Sequence, residues 1–85
     1  MKVEVQAILF PYDGDRTAAV TKLFVNTLET AGIRCVVGNM AVSCYGDLDD
    51  VLSTIGAAYG SIAATDKVSI SLVVANDMPL IGRKP

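Results

Sequence analysis

The sequence contains no histidine. That removes the commonest acid and base near neutral pH, the usual activator of a serine or cysteine nucleophile, and the ligand on which most zinc sites depend. Positive charge is scarce as well. Seven Lys and Arg stand against nine Asp and Glu, for a net charge of −2, and no basic cluster lies outside the last few residues. Nucleic-acid binding neutralises phosphates with Lys and Arg, so no nucleic-acid partner is expected. No apolar run approaches the ~20 residues of a membrane span. Glu4 and Gln6 interrupt the first apolar stretch, where a signal peptide would be unbroken. The chain is read as soluble and cytoplasmic, with no membrane partner.

What is present is a chain of 85 residues, enough for one core. A domain of this size buries roughly 60 to 65% of its unfolded surface. At 52% hydrophobic it is apolar for so small a unit. Such an excess is the mark of a surface partly covered by another subunit.

Residues 2–10, "KVEVQAILF", alternate as a strand, with Val3, Val5, Ala7 and Leu9 on one side and Glu4, Gln6, Ile8 and Phe10 on the other. Pro11 and the "YDGD" turn stop it. From Arg16 to Ala31, Val20, Leu23, Phe24, Leu28 and Ala31 recur at helical spacing, and Gly32 supplies a left-handed helix end. Residues 33–45, "IRCVVGNMAVSCY", read as a hairpin turning at Gly38-Asn39. Cys35, Val37, Met40, Val42 and Cys44 then share one face, and Arg34, Val36, Ala41, Ser43 and Tyr45 the other. This register sets Cys35 opposite Val42 and leaves Cys44 a diagonal neighbour, roughly 7 to 8 Å away. That is too far for an easy disulfide, so both cysteines are read as buried free thiols.

Residues 47–64 form a second helix with Leu48, Val51, Leu52, Ile55, Tyr59 and Ile62 inward. Gly56, Gly60 and Ala64 line an adjacent face and are read as a site of close packing against the first helix. The last strand, "KVSISLVVAN", points Val68, Ile70, Leu72 and Val74 inward. Residues 1–78 make a single domain and residues 79–85 a C-terminal tail. The order βαββαβ gives an α+β, ferredoxin-like fold, a four-stranded antiparallel sheet with two helices on one face.

The other sheet face would carry Glu4, Gln6, Ile8, Phe10, Val36, Ala41, Ser43, Tyr45, Ser69, Ser71 and Val73. It is too apolar for free solvation and too polar for a core, which suits a subunit interface or a half-wet pocket within one. A homo-oligomer through this open face is expected, most simply a dimer.

The first and third strands are read as ending together, so that "PYDGD" and "CYGDLDD" share one edge. That edge would hold five of the nine acidic residues with Tyr12 and Tyr45. Asp15 or Asp13 and Asp47 are good N-caps, and Asp50 completes a capping box with Asp47. Capping alone is the favoured reading of these residues, and capping combined with attraction of a cationic ligand is the alternative. Metal and phosphate readings fail. An EF-hand loop from Asp13 would have Phe24 where Glu is required. Asp13 and Asp15 flank Arg16 and would repel phosphate. No metal site and no cofactor are expected.

Three stretches, "ILFPYDG", "GNMAVSCYGDLDDVLSTI" and "SISLVVAND", resemble the corresponding segments of the YkoF-type thiamine/hydroxymethylpyrimidine-binding domain. A fainter similarity links them to the small thiamine-binding proteins. The most specific part is the run Gly46-Asp47, Asp50-Val51 and Ser53-Thr54. The resemblance implies a ferredoxin-like domain that binds thiamine or its pyrimidine moiety without chemistry, in precursor salvage or uptake. Relatives pair two such domains or assemble single ones, which agrees with an unfinished sheet face. Thiamine carries a thiazolium charge and an aminopyrimidine that seeks an aromatic face and hydrogen-bond partners. Phe10, Tyr12, Ser43, Tyr45 and Asp47 are the ligand-binding candidates, and no catalytic residue is expected. The alternative function is an ACT-like structural or regulatory oligomerisation module that binds another metabolite or a protein.

Overall fold

The computed structural model describes residues 1–39 and 41–76. Met40, the domain end placed at residue 78 and the tail over 79–85 lie outside the described residues.

Alternation in the first ten residues becomes β1, Lys2–Pro11, with Val3, Val5 and Ala7 buried on one side. After a short 3-10 turn at Gly14–Arg16, α1 runs from Thr17 to Thr30. Ala31 caps it, and Gly32 follows at φ 85°. The Gly32 N–H donates to the Glu29 carbonyl at 3.0 Å and the Ile33 N–H to the Leu28 carbonyl at 2.9 Å. These are the paired bonds of a Schellman end, with buried Ile33 and Leu28 as its apolar contact. Strand β2, Arg34–Val37, and β3, Val42–Asp47, form the hairpin, α2 spans Leu48–Ala63, and β4 spans Val68–Ala75.

The sheet order is β2-β3-β1-β4 with every neighbouring pair antiparallel. Both helices pack on the side carrying Val3, Val5, Ala7, Val42 and Cys44, and Phe24, Leu28, Val51 and Ile55 complete the core. This is the ferredoxin-like architecture expected from the element order.

Four details differ from the sequence expectation. The hairpin register sets Val37 opposite Val42 and Cys35 opposite Cys44. Strand β2 ends at Val37 and β3 begins at Val42, with the Gly38 N–H donating to the Ala41 carbonyl at 2.8 Å, so the connection is longer than a two-residue turn. A shift by two residues keeps every side chain on its expected face, which is why hydrophobic patterning did not distinguish the registers. Gly56 and Gly60 are exposed, and a Cβ on either would meet nothing within 4 Å, so neither serves close helix packing. Leu23 and Leu52 are exposed, while Ala58 takes an inner position on α2. On β4, an edge strand, Val68 is buried but Leu72 and Val74 remain 38% and 44% exposed.

No helix among the described residues is long and apolar enough to cross a membrane.

Candidate functional site

Strand direction decides which candidate residues can act together. Lys2 pairs with Asp47 across β1 and β3, and Pro11 pairs with Val68 across β1 and β4. Strands β1 and β3 are antiparallel, so the "PYDGD" and "CYGDLDD" loops lie at opposite ends of the sheet. The ten residues of β1 separate them, roughly 30 Å at strand rise. The shared acidic edge does not exist. The element order contained the signal: a crossover through α1 sets β2 parallel to β1, and a hairpin then turns β3 around.

Ser43, Tyr45 and Asp47 remain together. They alternate along β3, so all three occupy one row on the sheet face away from the helices. Across from them on β1 stand Gln6, Glu4 and Lys2 respectively. Ser43 is fully buried, and its Oγ has no hydrogen-bond partner among the described residues. Glu4 is fully buried in the same face. Sequence reasoning placed Glu4 on this face but left it out of the ligand set. Its signal was an acidic residue at an alternating position of the first strand.

Tyr45 is half-buried, with the Arg34 guanidinium 5.6 Å from its ring centroid. That separation is within cation–π range, so one ring face is already engaged. Asp47 occupies the N-cap position of α2 in extended conformation, but its side chain makes no capping bond. Its carboxylate instead meets Lys2 Nζ at 3.4 Å and the N-terminal amine at 3.5 Å. The Lys2 charge, with the hydrogen bond it donates, holds the Asp47 carboxyl below the usual carboxylate range. The expected capping box is therefore replaced by an ion-pair cluster that ties the N-terminus to the start of α2. The Leu48 N–H donates to the Met1 carbonyl at 2.9 Å and strengthens the same junction.

A hollow of about 350 Å³ opens at this end of the row. Tyr45, Gly46, Asp47, Asp50, Ser53 and Thr54 line it from β3 and α2, and Lys2, Gly32 and Ile33 close its other side. Five residues of the run singled out in the sequence, Gly46, Asp47, Asp50, Ser53 and Thr54, thus line one concave surface, while Val51 is buried in the core. The helix turn after β3 makes this happen, because residues 50, 53 and 54 rise on one side of α2. The hollow offers hydroxyl donors, one carboxylate already paired with Lys2, and the Asp50 carboxylate.

The remaining two candidates lie elsewhere. Phe10 shares the face of Ser43 but pairs with Ser69 near the far end of β1, and it is 52% exposed. Tyr12 has left the sheet. It is 77% exposed and borders hollows with Tyr59, Asp66 and Lys67 on one side and Asp13 and Arg16 on the other. Asp13 accepts from the Asp15 N–H at 3.0 Å and caps the 3-10 turn. Arg16 is held by Asp66 through two bonds, Nε to Oδ1 at 2.9 Å and the second nitrogen to Oδ2 at 3.2 Å. The bond from Arg16 pulls the Asp66 carboxyl below its ordinary range and the guanidinium is raised in return. With its fork already occupied, Arg16 is not a phosphate cradle.

No protein-family model and no curated protein sequence matches the chain. Solved structures do. The chain is similar to a Thermotoga maritima protein described as having a proposed role in thiamine biosynthesis or salvage, with a TM-score of 0.77 and 14% identity over 87% of this chain and 82% of that one. A hypothetical protein from Methanocaldococcus jannascii gives a TM-score of 0.77 and 21% identity over 88% and 79% of the two chains. A domain of unknown function, DUF77, from Bacillus cereus gives 0.72 and 22% over 88% and 75%. The likeness is one of fold, and it is the fold that the YkoF-type resemblance of the sequence implies.

Proposed function

We propose that the chain is a non-catalytic binding protein for thiamine or its hydroxymethylpyrimidine moiety, serving salvage or uptake in the cytoplasm. The observation that carries this reading is the polar hollow at the Asp47 end of the Ser43–Tyr45–Asp47 row, lined by Tyr45, Asp47, Asp50, Ser53 and Thr54. A hollow of about 350 Å³ is within the range of small-molecule sites, roughly 300 to 1,000 Å³. With Asp47 paired to Lys2 and the N-terminal amine, the Asp50 carboxylate is the charge in the lining that favours a cationic ligand over an anionic one. The description of the Thermotoga maritima neighbour supports the same ligand class.

The open face completes the proposal. Around its buried centre, Phe10, Val36 and Val73 are exposed, and a second copy of the chain is the partner that would cover them. An ACT-like oligomerisation module is the second reading, favoured by that apolar rim alone.

A thermal-shift series with thiamine, its phosphates, hydroxymethylpyrimidine and amino acids separates the two. Ligand at a hundredfold over Kd adds about 2.7 kcal/mol, a Tm rise of roughly 10 °C or more for a domain this small. A rise with thiamine or the pyrimidine is the expected result. A rise with amino acids only, or with none of the compounds, overturns the binding assignment.

A further inference from the structure

The hairpin register places the protein's two cysteines, Cys35 and Cys44, directly opposite each other on neighbouring strands. Both are free thiols, and both sit on the helix-facing side of the sheet against the hydrophobic core. Residues opposed in an antiparallel pair have Cα atoms about 4.5 to 5.5 Å apart. A disulfide spans Cα separations of about 4.4 to 6.8 Å. The opposed register therefore brings the pair into the range that a disulfide spans.

We propose that Cys35 and Cys44 are a redox modification site, closing to a reversible cross-strand disulfide that staples edge strand β2 to β3. Two features support the assignment, and a third sets its rate. Strand β2 is four residues long and, among the described residues, has β3 as its single neighbour in the sheet, so this short edge strand opens readily. Cys35 lies on it and is half-buried, whereas Cys44 is fully buried on β3. Their order of reaction follows from this difference in access. Burial raises both thiols, Cys44 up to about 12, so exchange is slow at neutral pH and accelerates as pH rises.

The oxidant is a low-molecular-weight disulfide. The Cys35 thiolate attacks one of its sulfurs, forming a mixed disulfide and releasing the first small thiol. The Cys44 thiolate then attacks the Cys35 sulfur and releases the second. Two protein thiols and one small disulfide become one protein disulfide and two small thiols, with the two cysteines oxidised and the reagent reduced. Cys44 stands between Ser43 and Tyr45 on β3, so the bond anchors the strand that bears the candidate site. The proposal itself is independent of any ligand.

The test treats the native full chain with oxidised glutathione and follows free thiols, intact mass and Tm. Both thiols are expected to disappear, with a loss of two hydrogens per chain and no link between chains. Tm should rise by about 5–15 °C and fall back on adding dithiothreitol. A C44A variant should retain a glutathione adduct on Cys35, and C35S should form neither product. A persistent adduct on the unsubstituted protein, a disulfide between chains, a lowered Tm on oxidation, or no loss of thiols from the native fold overturns the proposal.

Discussion

Lys2 stands opposite Asp47 across the β1–β3 ladder, with its ammonium 3.4 Å from the Asp47 carboxylate. The pair records the antiparallel sense of the two strands, and it converts a residue expected to cap α2 into the centre of an ion-pair cluster. Both side chains are exposed to a large degree, so salt should screen the pair. Asp47→Asn is expected to lower Tm slightly at low ionic strength and to leave it unchanged in molar salt. Thermal melts of the two proteins across a salt series check this.

Asp66 is linked to pH as well. Its carboxyl lies below the ordinary value because Arg16 bonds it. The unfolded group titrates near 3.9, so the contribution is fully present above about that pH. It is lost as pH falls through the lowered native value, since the unfolded chain then binds the proton first. Denaturation of wild type and Asp66→Asn between about pH 6 and pH 2 should show curves that differ at neutral pH and converge in acid.

Ser43→Ala separates a site from a packing position. Removing a buried hydroxyl that has no partner among the described residues should raise the stability of the ligand-free protein by about 1 kcal/mol. The same change should shrink the Tm rise given by thiamine. Urea denaturation and the thermal-shift series measure the two effects on one variant.

Glycines give opposite outcomes according to what surrounds them. A Cβ at Gly46 would lie 3.1 Å from Cγ2 of Val51, which is fully buried and has little room to move. Gly46→Ala should cost about 1–3 kcal/mol through overpacking. Gly56→Ala and Gly60→Ala meet open space and should each stabilise α2 by about 0.5–1 kcal/mol. Chemical denaturation of the three variants decides all three signs.

Phe10 and Val73, 52% and 48% exposed on the open face, test self-association. Phe10→Glu and Val73→Lys should leave the circular dichroism spectrum intact. Each should weaken the dimer by about tenfold or more, equivalent to about 1.4 kcal/mol. Sedimentation at several concentrations reads the shift, and an unsubstituted protein that is already monomeric would refute the interface.

The sequence by itself determined which residues share a face and where the elements end. Alternation at Val3, Val5 and Ala7 and the left-handed position at Gly32 are local consequences of backbone geometry, and both are found as read. Tertiary structure decided what local patterning does not encode. Two hairpin registers that differ by two residues bury the same side chains, so only the Gly38–Ala41 closure sets Cys35 opposite Cys44. Gly56 and Gly60 face open space instead of α1, and the exposure of Leu72 and Val74 depends on β4 being an edge strand. The separation of Phe10 and Tyr12 from Tyr45 and Asp47 follows from strand direction, which the order of the elements implies but the pattern within any one element does not show.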